Sequence, residues 1–160
     1  MRTLAVVSLS AFAMAVAGAV LAQSNPPAPA ATYRPGLGDL MTMTVQPRHL
    51  KVGLAGQEKN WAYAAYELHE LQESFDRVAR AWPKWRQVEI ADTIKATIEA
   101  PMDAVARAIK AKDSAKFTES YGQLTATCIA CHQCASVGLV VIQIPKSSPF
   151  ANQDFRPQKQ

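Results

Sequence analysis

Asn60-Trp61-Ala-Tyr-Ala-Ala65-Tyr-Glu67-Leu68-His-Glu70-Leu71-Gln-Glu73-Ser-Phe75-Asp76-Arg77-Val78-Ala-Arg-Ala-Trp82-Pro83 is the stretch that decides the fold. Its apolar residues, Trp61, Ala65, Leu68, Leu71, Phe75, Val78 and Trp82, recur at steps of three and four, the period of an amphipathic helix. Glu67, Glu70, Glu73, Asp76 and Arg77 fall mostly off that stripe and are expected to face water. Asn60 is a good N-cap, and Pro83 cannot continue the helix.

Three further segments read the same way. From about Val88 to Lys112 the stripe is Ile90, Ile94, Ile98, Met102, Val105 and Ile109, with Pro101 inside it. An internal proline removes a backbone hydrogen bond, so a kink near Ala100 or two shorter helices is expected. After Asp113, a second N-cap, the stripe is Phe117, Tyr121, Leu124, Cys128, Cys131 and Ala135, with Gly138 as terminator. The weakest segment holds Leu37, Leu40, Met41, Thr44, Val45, Leu50, Val52 and Leu54. There Pro47 either starts a short helix or kinks a longer one. Four segments with short connections predict an all-α fold, an antiparallel four-helix bundle over residues 37–138. Leu139-Val140-Val141-Ile142-Gln143-Ile144 then opens an extended C-terminal tail, residues 139–160, rich in the residues that favour extended chain. That tail is expected to fold back over the bundle.

The N-terminal end has the layout of a secretory signal peptide over residues 1–22. Met1 and Arg2 give a positive start, Thr3 to Leu21 carries no charge, and Val20-Leu21-Ala22 suits cleavage before Gln23. A membrane anchor is the alternative, but the run is near the lower limit for a span and ends on a cleavage-like site. Residues 23–36 are Pro/Ala-rich, with Pro26, Pro27, Pro29 and Pro35, and read as a linker. The formal net charge of +4 over 160 residues is modest, and no basic stripe with interleaved aromatics suggests nucleic acid. No second long apolar run follows, so no stable membrane insertion is expected once residues 1–22 are removed.

Cys128-Ile-Ala-Cys131-His132 carries the chemistry. In an exported chain, Cys-x-x-Cys-His is the signature of covalent c-type haem attachment: two thiols form thioethers and the histidine ligates the iron. On a helix, positions i, i+3 and i+4 point to one region of space. Other chemistries fit this cluster less well. With Cys134 the cluster counts four zinc ligands, but they crowd into seven residues of one helix and cannot surround a metal tetrahedrally. Cys128, Cys131 and Cys134 match the start of a ferredoxin run, but the fourth cysteine is due where Gly138 stands. A thiol–disulfide motif belongs beside a strand with its first cysteine at a helix N-terminus, and no such pattern surrounds this one. Cys134 itself reads as a small, buried thiol, with pairing between chains as the alternative.

Leu124-Thr-Ala-Thr-Cys128-Ile-Ala-Cys131-His132, placed late on the last of four amphipathic helices, resembles the class II c-type cytochromes. These comprise the cytochrome c′ group and its low-spin, methionine-ligated relatives. The resemblance spans about residues 37–135. It implies one covalent haem c held by Cys128 and Cys131, His132 as proximal ligand, and a periplasmic electron carrier serving redox partner proteins, with a homodimer possible. It also implies an alternative, a five-coordinate protein binding nitric oxide or carbon monoxide. A third reading, outside the family, is a haem-free helical bundle with a thiol-redox or structural role. Low-spin relatives take a methionine from the first helix, which puts Met41 ahead of Met43 as sixth ligand, with His49 or no ligand still open. Tyr121, Leu124 and Thr125 are expected to line the pocket, Trp61, Trp82 and Trp85 to be core, and His69 to face solvent. The tail departs from the family, where little chain follows the histidine, and is expected to cover a haem edge. No paired acid and base suggests substrate chemistry, so no enzyme is expected.

Overall fold

The computed structural model describes residues 33–159, so the expected signal peptide and most of the linker lie outside the described residues. Four helices follow in order: α1 (residues 37–57), α2 (Trp61–Ala81), α3 (Ile90–Ala111) and α4 (Ser114–Cys134). Among the described residues there is no strand, only an isolated bridge between Trp85 and Val88. Residues 58–60, 82–89 and 112–113 are too short to do anything but reverse the chain, so consecutive helices run antiparallel. α1 and α3 each pack against α2 and α4, which makes the four-helix bundle. No helix among the described residues is long and apolar enough to cross a membrane.

The caps fall where the side chains dictate. Asn60 accepts a hydrogen bond from the Tyr63 N–H, and Asp113 accepts from Ala115 and Lys116, satisfying donors that a helix start leaves free. The stripes meet in one core of Leu68, Leu71, Phe75 and Val78 from α2, Ile94, Ile98, Met102 and Val105 from α3, and Phe117, Tyr121 and Leu124 from α4.

Two open expectations are narrowed and three need correction. First, α1 is one helix, with a π-helical stretch at Met41–Val45 and Pro47 in the first turn of the α-helical Gln46–Gln57. A wider turn just ahead of Pro47 is where the missing N–H and the bulky ring are most easily absorbed. Second, α3 runs unbroken through Pro101, because the buried stripe continues on both sides of it. It starts at Ile90, since Trp85 and Val88 pair through both backbone groups around Arg86, whose φ is 54°. Third, Glu67 is buried at 1 % exposure, while Ala64 rather than Ala65 joins the core. Arg48 of α1 lies 3.0 Å from the Glu67 carboxylate and Lys51 lies 3.9 Å from it, so the α1–α2 seam carries a charge cluster. Fourth, α4 ends at Cys134, and the left-handed residue that terminates it is Ser136, with φ 58°, not Gly138. The Ser136 N–H bonds the Gln133 carbonyl and the Val137 N–H bonds the His132 carbonyl, the two bonds of a Schellman motif. Fifth, Cys134 is exposed rather than buried, because it lies off the stripe shared by Cys128 and Cys131.

Among the described residues the chain after α4 forms no strand. Gln57 donates to the Pro145 carbonyl, Lys51 sits over the Phe150 ring, and Phe155 is buried against Tyr63.

Candidate functional site

An apolar cavity of about 250 Å³ opens at the end of the bundle where α1 and α3 begin and α2 and α4 finish. α4 contributes Cys128, Cys131 and His132, all half-buried on one face, as the i, i+3, i+4 spacing requires. α1 contributes Met41, Thr42 and Val45 from the π-helical stretch, and His49 one turn further. Ile90, Ile94 and Ile98 of α3, Phe75 of α2 and Trp85 of the loop complete the walls with Val137, Val140 and Ile142. The α3 isoleucines and Phe75 are legible in the sequence only as core. Their place in the cavity depends on how α3 and α2 meet the cysteine face of α4, which no local pattern encodes.

His132 is oriented by a single contact. Its Nδ1 lies 2.9 Å from the Val140 carbonyl oxygen, which can only accept, so Nδ1 carries the proton and Nε2 keeps its lone pair. Burial, helped by the neighbouring Cys131, pushes the Cys128 thiol up to about 12, and burial also raises Cys131. Both are therefore protonated thiols at neutral pH, the reverse of what thiol–disulfide exchange needs. Among the described residues no three His, Cys, Asp or Glu side chains are grouped to hold a metal ion by themselves.

Three expected pocket residues, Tyr121, Leu124 and Thr125, are buried deeper than the cavity and do not line it. Leu124 is fully buried in the core, and Tyr121 does not reach the lining. Instead the Tyr121 hydroxyl donates toward the His49 carbonyl oxygen at 2.9 Å and lies 3.2 Å from His49 Nδ1. The imidazole Nε2 lies 3.0 Å from the Thr125 hydroxyl, which donates to the Tyr121 carbonyl at 2.9 Å. With the ring proton on Nε2, every donor in this chain has an acceptor. Burial lowers the His49 pKa to about 4, which keeps the ring neutral. Nε2 is thus engaged as a donor and Nδ1 has the Tyr121 hydroxyl 3.2 Å away, so both His49 nitrogens face protein groups. Met43 is 75 % exposed and faces away, which leaves Met41 as the first-helix thioether in the cavity wall. Trp85 lines the cavity, whereas Trp61 and Trp82 are half-buried against the core and His69 is exposed beside Glu73.

No protein-family model, no curated protein and no solved structure matches this chain.

Proposed function

We propose that this chain is a periplasmic monohaem c-type cytochrome of the class II kind, an electron carrier between redox proteins. The observation that carries the reading is the convergence of both thiols of Cys-x-x-Cys-His, its imidazole and one methionine from another helix on a single apolar cavity. Cys128 and Cys131 would hold haem c as thioethers, and His132 Nε2 and the Met41 thioether would be its iron ligands. Bound haem supplies one-electron iron chemistry. The chain's own part is to orient His132, keep water from the cavity through Ile90, Ile94, Ile98 and Trp85, and hold both His49 nitrogens against Tyr121 and Thr125. The raised thiols of Cys128 and Cys131 weigh against a thiol-redox role.

Absorption spectroscopy tests the reading. The reduced protein should show a low-spin c-type spectrum, and Met41→Ala should turn it high-spin. A wild-type spectrum that is already high-spin would move the assignment to a five-coordinate protein that binds nitric oxide or carbon monoxide.

A further inference from the structure

We infer that residues 137–145 form a strap whose Val140 backbone carbonyl positions His132, so that the C-terminal extension sets the orientation of the iron ligand. This rests on the haem reading above and adds to it a role for the segment that the Cys-x-x-Cys-His motif does not supply. The motif places an imidazole on the helix, but nothing in those five residues holds its ring at one angle.

The strap does so through a chain of backbone bonds. The Schellman turn at Ser136 reverses the chain immediately after His132, using the His132 carbonyl itself as acceptor for the Val137 N–H at 2.9 Å. The Val140 N–H then bonds the Val137 carbonyl at 2.9 Å and closes a second turn. That turn brings the Val140 carbonyl to 2.9 Å from His132 Nδ1. An imidazole whose Nδ1–H is held by a carbonyl has a fixed tautomer and ring orientation, the arrangement that metal-bound histidines use.

Side chains and anchors agree with this role. Val140 and Ile142 line the cavity, Val140 still 43 % exposed, while Leu139 and Val141 are 88 % and 60 % exposed. Gln57 at the far end of α1 donates to the Pro145 carbonyl at 3.0 Å and pins the strap's other end.

The test separates backbone from side chain. Val140→Pro removes the N–H that closes the second turn, whereas Val140→Ala keeps it, and both leave Phe155 in the core. Each protein is checked for helicity and for haem that survives acid–acetone extraction. The exchange of the His132 Nδ1–H with solvent is then followed by NMR in the ferrous state, under carbon monoxide where the iron must be made low-spin. We expect slow exchange in the wild type and in Val140→Ala, and exchange about tenfold faster in Val140→Pro, as loss of one ordering hydrogen bond allows. Truncation after Gly138 should behave like Val140→Pro. Unchanged exchange in a folded, haem-loaded Val140→Pro protein overturns the strap alone. A folded wild type without extraction-resistant haem overturns the haem reading, and the strap with it.

Discussion

Gly53 shows how much one residue decides at this site. A methyl group there would lie 2.5 Å from the Tyr121 hydroxyl, so only glycine leaves room for the bond that ties Tyr121 to His49. Gly53→Ala should cost about 1–3 kcal/mol in a denaturant titration, the usual penalty for overpacking a core, with the Tyr121–His49 contact displaced. His49 itself gives the chain a pH dependence. Its pKa is about 4 when folded against an ordinary 6.5, because burial disfavours the charged ring. The unfolded chain therefore binds the proton more readily, so stability from this group is complete above pH 6.5 and is lost as the pH falls toward 4. Between those limits the loss approaches about 1.4 kcal/mol per pH unit. Urea midpoints across that range should fall less steeply in His49→Gln than in the wild type. The sequence offered His49 as a possible iron ligand because a histidine near the first-helix methionines looks available. Its partners Tyr121 and Thr125 come from α4, so its engagement is a tertiary fact.

Among the helices, the legible features were those written in neighbouring residues. Asn60, Asp113 and Pro83 mark helix boundaries because a cap or a missing N–H acts within one turn. Asp113→Ala should lower stability by about 0.5–2 kcal/mol, measured by thermal unfolding, since the Ala115 and Lys116 N–H groups then lose their acceptor. What was illegible depended on packing. Pro101 predicts a kink in α3 or two shorter helices; α3 is one helix, and the stripe from Ile94 to Ile109, buried on both sides of Pro101, holds it together. Glu67 looked like a solvated charge until α1 brought Arg48 and Lys51 against it. The π-helical stretch at Met41–Val45 has no sequence signature beyond Pro47 downstream. It nonetheless supplies Met41, Thr42 and Val45 to the cavity, in keeping with the way such stretches gather at functional places.

At the scale of the molecule, the bundle divides its work between its two ends. One end carries the cavity with Cys128, Cys131, His132 and Met41. The other gathers the α1–α2 turn and the returning C-terminal chain, where Phe155 is buried against Tyr63 and Asn60 bonds the Arg156 carbonyl. The Cys-x-x-Cys-His run names the proposed attachment residues from sequence alone, because their relation is local to one helix. The cavity around them needs three more helices and the chain beyond α4, and so belongs to the fold. The central claim is the covalent haem, and one measurement addresses it directly. The full chain is produced in a host that exports it and attaches haem, extracted with acid–acetone, and examined as its pyridine haemochrome together with a thiol titration of the denatured protein. The account predicts that the haem stays with the polypeptide, with a c-type haemochrome and a single titratable thiol, Cys134, of the three cysteines. Haem removed by the solvent, or none at all with three free thiols, would contradict it.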